Sequence, residues 1–234
     1  TGAKQHEITR RFLCRKALNI IQRVYSPNRI TKPLRKVDGK WQEMRWDDAY
    51  TLVAAIIKRS IEQYGSPSIL HYQGAGSLGA LKVLNKRFFN LLGGVTETTG
   101  SLCGGAGIAG QEADFGLRTA HDPLDLLNSR FIIVWGRNPS ETNMHLVPIL
   151  KDARADGALV ALIDPISTDT GKYCDMHVRP NPGMDGYLAL GIAKVIVDSG
   201  SVDMDFIVDH ADNFEAYVEL VNSYDLETLS KLSG

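Results

Sequence analysis

Phe131 to Trp135 reads FIIVW and Leu159 to Ile163 reads LVALI, two apolar runs too short for helices and rich in β-branched and aromatic residues. Such runs are buried strands. Met144 to Asp156 has helical spacing between them, Met176 to Val178 forms a further short strand, and Gly186 to Asp198 forms a helix that Asp185 is placed to cap. Strands that alternate with helices pair in parallel and carry the helices on their faces. The chain is therefore predicted to be α/β, a three-layer parallel-sheet architecture with a Rossmann-like dinucleotide-binding domain.

The preceding sequence builds less. Residues 1–45 are basic, broken by Pro27 and Pro33, with extended stretches at Leu34 to Val37 and Trp41 to Met44 flanking an Asp38-Gly39 turn. Asp47 is placed to cap a helix on which Tyr50, Val53, Ile57, Ile61 and Tyr64 share a face, ended by Gly65-Ser66-Pro67. Ser68 to Gln73 reads as a buried strand, and Leu81, Leu84, Phe88 and Leu91 mark a helix closed by Gly93-Gly94. Short helices carrying Phe206, Ile207, Phe214, Tyr217 and Val218 occupy Asp203 to Leu232.

The net charge of -1 and ordinary 44% apolar content give no electrostatic reason to expect nucleic acid or an anionic membrane as partner. No run is apolar for the roughly 20 residues a transmembrane helix needs. Arg10-Arg11-Phe12-Leu13 has the look of a twin-arginine export signal, but Asn19, Gln22 and Arg23 interrupt the apolar region that must follow. Cys14, Cys103 and Cys174 are too few and too widely spaced for a disulfide framework, so the cytoplasm is the default compartment.

Several segments carry candidate chemistry. Gly74 to Gly79, GAGSLG, matches GxGxxG between a strand and a helix, although Glu97, at the distance of a ribose-binding acid, falls in a polar turn. Cys103 is followed by Gly104, Gly105, Ala106 and Gly107, small residues that leave room for a bulky ligand. A helix starting there would favour a thiolate, the form a soft metal prefers; the alternative is a buried structural cysteine in a tight turn. Gly136 to Glu141 follows a strand and opens a helix, where backbone amides can face a phosphate. Asp164-Pro165 and Pro182 to Asp185 also lie at strand ends, the ligand-binding edge of an open parallel sheet. Cys174 and His177 are spaced like metal ligands, yet nothing nearby completes a site, so they read as packing residues.

Four segments, TTGSLCGGAGIAG from Thr98, FIIVWGRNPSE from Phe131, LVALIDPISTDT from Leu159 and RPNPGMDGYLAL from Arg179, follow one another at a specific spacing. Together they resemble the molybdenum or tungsten bis-pterin oxidoreductases, the family of dimethyl sulfoxide reductase, formate dehydrogenase, and thiosulfate and polysulfide reductase. The resemblance runs from about Arg10 to the C-terminus but reaches only the N-terminal part of such catalytic subunits. It implies a bis-molybdopterin guanine dinucleotide cofactor, Cys103 as ligand to molybdenum or tungsten, and Gly136, Asn138, Glu141, Asp164, Thr168, Gly183 and Asp185 as contacts of one guanine dinucleotide. Cys14-Arg15-Lys16 resembles the end of the family's iron-sulfur segment, with Cys14 as a ligand of a 4Fe-4S cluster and Lys16 between cluster and pterin. The other three cluster cysteines would lie upstream of Thr1, so a fragment is expected.

The expected organisation is a basic iron-sulfur remnant over residues 1–45, the first part of an α/β domain over 46–99, and a pterin-dinucleotide domain over 100–234. Its partners would be a small-molecule substrate, the remainder of the catalytic subunit and an iron-sulfur electron-transfer subunit. Formate dehydrogenases place a histidine after the ligand, whereas this chain has Gly104, so reduction of a sulfur compound or oxyanion is expected instead. The family's arginine after Asp-Pro is Ile166 here, and its following alanine is Gly171. Two other functions compete: a nucleotide-binding scaffold without metal, and an NAD-dependent dehydrogenase built on Gly74 to Gly79.

Overall fold

A computed structural model describes residues 2–74, 76 and 79–234. It is mixed α/β with small parallel sheets, and it divides into two compact units, one of Thr1–Leu18 with His121–Gly234 and one of Asn19–Ala120. The first helical turn, α1 (Arg15–Leu18), thus belongs with the C-terminal part of the chain.

In the unit of Asn19–Ala120, α2 (Ile20–Val24) precedes a hairpin of β1 (Leu34–Val37) and β2 (Lys40–Glu43). Its two turn residues, Asp38 and Gly39, have φ of +48° and +79°, as a turn matched to the strand twist requires. Helix α3 (Trp46–Tyr64) starts one residue before Asp47, so Asp47 lies in its first turn and does not cap it. Gly65, at φ +80°, ends it. The strand expected over Ser68 to Gln73 shrinks to β3 (Leu70–His71), whose Leu70 is exposed. After α4 (Leu84–Leu91), Thr96–Glu97 forms β4, parallel to β3, so Glu97 is a strand residue and not part of a turn. Helix α5 (Gly105–Phe115) ends at the left-handed Gly116. His71 is the only buried residue among those described in this unit.

The other unit holds the core. Its sheet is β5 (Phe131–Trp135), β6 (Leu159–Ile163) and β7 (Met176–Val178), all parallel and in chain order. Between β5 and β6, the helix expected over Met144 to Asp156 is α7 (Leu146–Ala155), and a further single turn, α6 (Pro139–Thr142), precedes it. Ile149, Leu150 and Ala153 of α7 are at most 1% exposed, and Leu150 and Ala153 join Ile132, Val134, Val160 and Leu162 in one cluster. Each of the valine, leucine and isoleucine side chains contributes about 1.5–3 kcal/mol by leaving water.

Arg154 of α7 grips Asp175, just before β7, through its Nε and Nη2. Asp175 Oδ2 in turn accepts from Val160 N of β6 at 2.8 Å. These two bonds hold the carboxyl of Asp175 below the usual carboxylate range. The opposite sheet face is only partly covered: Ala161 and Ile163 are buried, whereas Phe131, Ile133 and Leu159 are exposed. Past β7 come α8 (Asp185–Asp198), α9 (Met204–His210), α10 (Phe214–Asn222) and α11 (Leu226–Ser233), the last packed on α8 with Leu229 against Gly191. No described helix is long and apolar enough to cross a membrane.

Candidate functional site

Parallel strands that end together leave their loops side by side, and here three loops converge past the carboxyl ends of β5, β6 and β7. The chain leaves β5 through Gly136, whose φ of +57° would strain any residue with a Cβ, while its N–H donates to Ile163 O of β6 at 2.8 Å. Asn138 follows. Its Oδ1 accepts at 2.7 Å from Thr170, a threonine with no exposure at all in the loop after β6. The same Thr170 oxygen accepts from Ser140 N at 3.3 Å and lies 3.1 Å from Ser140 Oγ. Helix α6 is a single turn, too short for the dipole that a longer helix would aim at a phosphate.

Asp164, 9% exposed at the end of β6, is fixed at both ends of the residue. Its Oδ1 accepts from Ile166 N at 3.0 Å, and its carbonyl faces His177 Nε2 at 2.8 Å. A carbonyl can only accept, so Nε2 of His177 carries a proton. Cys174 Sγ donates to Thr170 O at 3.4 Å, and burial pushes its thiol up. Both residues are therefore engaged in packing, as their sequence context suggests. Thr168 keeps a buried hydroxyl oxygen with no partner among the described residues.

The third loop turns at Gly183, φ +81°, into α8. Asp185 does not cap that helix: it is the first helical residue, and Met184 precedes it without a side-chain cap bond. Its Oδ1 instead accepts from Trp135 Nε1 of β5 at 2.7 Å. Asn138, Asp164 and Asp185 thus share a design in which one polar end is fixed by the protein, while the other (Nδ2, Oδ2 and Oδ2) meets no described residue. Trp135 and Thr170 had no place among the residues expected from sequence. The Thr-Asp-Thr spacing over 168–170 offered a signal for one; nothing local marked the other.

Glu141 departs from this platform. It lines a cavity of about 230 Å³ together with Cys14, Lys16, Thr142 and His145. Phe12 packs on His145, the residue before α7, with the two rings T-shaped and its carbonyl 3.1 Å from His145 Nε2. Arg10 is paired with Asp152. The N-terminal segment is thereby anchored to its unit, with Cys14 and Lys16 beside Glu141.

Cys103 lies in the unit of Asn19–Ala120, exposed, directly before the Gly104 N-cap of α5. That excludes the buried structural cysteine. A methyl added at Gly107 or Gly110 would meet nothing within 4 Å, so the small-residue side of α5 is open. In the Gly74 to Gly79 motif, Ala75, Ser77 and Leu78 lie outside the described residues. The acid of that motif is already engaged: Glu97 Oε1 lies 3.0 Å from His71 Nδ1, and His71 Nε2 lies 2.9 Å from Asn85 Nδ2. Sequence reading missed this pair because a two-residue strand has no visible periodicity.

Residues 29–219 match the family described as "Molybdopterin oxidoreductase". The chain is 38% identical over 226 residues to "Probable oxidoreductase YyaE" of Bacillus subtilis (strain 168), covering 97% of itself and 34% of that protein. It is 30% identical over 212 residues to "Dimethyl sulfoxide reductase DmsA" of Escherichia coli (strain K12), covering 83% of itself and 26% of that protein. Its structure is similar to that of acetylene hydratase from Pelobacter acetylenicus, with a TM-score of 0.71 at 25% identity over 95% of this chain and 31% of the other. The chain thus spans about a third or less of the length of these proteins.

Proposed function

The chain belongs to the molybdopterin oxidoreductase family, and from that premise we propose that it forms the part of a catalytic subunit that grips one pterin guanine dinucleotide and offers Cys103 to molybdenum or tungsten. The observation that carries this reading is the loop platform at the strand ends, where Asn138, Asp164 and Asp185 each hold one polar end fixed and one free. The residues fit such a group. The unpartnered Thr168 hydroxyl marks a buried polar position that a ligand can satisfy, and the side chains offer both donors and acceptors.

In this proposal the sheet unit is a Rossmann-like dinucleotide-binding domain. The free Oδ2 atoms of Asp164 and Asp185 accept from ribose hydroxyls or guanine N–H groups. The Nδ2 of Asn138 donates, and Gly136 and Gly183 let the backbone approach without a Cβ between. Cys103 supplies a soft thiolate from a face of small residues. The bound metal cofactor would supply two-electron redox or atom-transfer chemistry, and the protein's task is to hold and orient it. Lys16 lies beside Cys14, and a cation there would ease electron passage between a 4Fe-4S cluster and pterin.

A sulfur compound or an oxyanion is the favoured substrate class, since Gly104 stands where formate dehydrogenases carry histidine. The test is acid extraction of the complete enzyme, with metal analysis and mass spectrometry of the released cofactor. We expect molybdenum or tungsten with pterin guanine dinucleotide, and lower occupancy in Asp164→Ala. Nucleotide without metal would favour the scaffold instead, and an extract that holds no metal and no nucleotide would refute the proposal.

A further inference from the structure

We infer that Thr170 is a positioning residue that decides which end of the Asn138 amide faces the nucleotide. This rests on the reading of the loop platform as a nucleotide site. A hydroxyl has one proton to give. The Thr170 hydroxyl gives it to Asn138 Oδ1 at 2.7 Å, the shorter of its two side-chain contacts, and accepts from Ser140 N at 3.3 Å, with Ser140 Oγ 3.1 Å away. Thr170 has no solvent exposure, so no water can replace it without a rearrangement of both loops. The bond to Oδ1 turns the Nδ2 donors of Asn138 toward the open side, where no described residue accepts from them.

The consequence is chemical. Asp164 and Asp185 present only acceptors, each with one oxygen already taken. Asn138 is the member of the set that presents donors, and it does so because Thr170 holds its oxygen. A ligand seated here must bring acceptors, such as phosphate oxygens or the O6 and N7 of guanine, to the loop after β5, and donors to the loops after β6 and β7. With the Asn138 amide reversed, that complementarity is lost at one of three points.

The experiment titrates the chain with GDP by calorimetry, using wild type, Thr170→Val, Thr170→Ser, Asn138→Ala, Asn138→Asp and the Thr170→Val/Asn138→Ala double variant. Thr170→Val keeps the side-chain volume and removes the proton; it should weaken GDP by about tenfold, the scale of one hydrogen bond lost at a buried polar site. Thr170→Ser should restore binding to within about threefold of wild type, since the proton returns. In the Asn138→Ala background, Thr170→Val should cost almost nothing more, because there is no amide left to orient.

Independent costs, adding in the double variant, would reduce Thr170 to a packing role and overturn the inference. So would GDP binding by Thr170→Val as tight as wild type, and that result would leave the nucleotide reading standing. If Thr170→Val does not fold, Asn138→Asp decides alone: it keeps the bond to Thr170 but loses the donors, and unchanged GDP binding would contradict the assignment. Absence of GDP binding in wild type, with no nucleotide extractable from the complete enzyme, refutes the nucleotide reading and the inference with it.

Discussion

Replacing Trp135 by phenylalanine keeps an aromatic ring at the end of β5 and removes the indole N–H that donates to Asp185 Oδ1 at 2.7 Å. Hydrogen bonds to charged groups are worth about 1.5–3 kcal/mol, and solvent access to this half-buried pair reduces that to about 1–2 kcal/mol. Losing roughly 20 Å² of buried ring, at about 25 cal/mol per Å², adds about 0.5 kcal/mol. The sum of about 1.5–2.5 kcal/mol should lower the melting temperature of the sheet unit by about 5–10 °C. Urea unfolding followed by far-ultraviolet circular dichroism measures the loss directly. Trp135→Phe, Asp185→Ala and the double variant form a cycle whose coupling should be about 1 kcal/mol. The three GDP affinities should change together, because Asp185 without its anchor no longer holds one rotamer. Additivity within about 0.3 kcal/mol would refute the claim that the indole fixes the carboxylate.

Three further outcomes are expected. Cys103→Ala in the complete enzyme should abolish or severely reduce turnover while the fold is kept; wild-type activity in a fully metallated variant would remove Cys103 from the metal. Asp175, its carboxyl held down by Arg154 and Val160 N, contributes stability that is full above the ordinary carboxylate range and is lost as pH falls through its lowered value. Acid titrations of stability should therefore be shallower in Asp175→Asn, and curves that start level with wild type at neutral pH and fall with the same slope through the acid range would show the pair contributes nothing. Hydrogen exchange should be slowest in β6, where Val160 and Leu162 are fully buried, and faster along α3, where no residue is. Equal protection of the two segments would be inconsistent with a core confined to one unit.

The parallel strands β5 and β6 were legible in the sequence because five-residue apolar runs of branched side chains leave few alternatives. The hairpin turn at Asp38-Gly39 was legible for a local reason too, since its positive φ angles suit those residues. Helix starts were less so. A carboxylate before an apolar repeat looks like a cap, yet Asp47 lies inside its helix and Asp185 answers to an indole fifty residues away. That Asn138, Asp164 and Asp185 lie in loops at strand ends was legible too, whereas their selection as candidate contacts came from the family resemblance. What the sequence could not contain was the second half of each of those residues' environments.

Whether Asn138 offers oxygen or nitrogen, which oxygen of Asp164 is free, and that Glu141 faces Cys14 and Lys16 are decided by partners between two and well over a hundred positions away. A chain's own pattern of apolar and polar residues determines which segments become strands and which ends carry loops, because that choice is driven by burial within each segment. The pairing of single polar atoms across loops is settled only when packing brings those loops together, because one hydrogen bond is directional and short-ranged and has no local sequence preference to announce it.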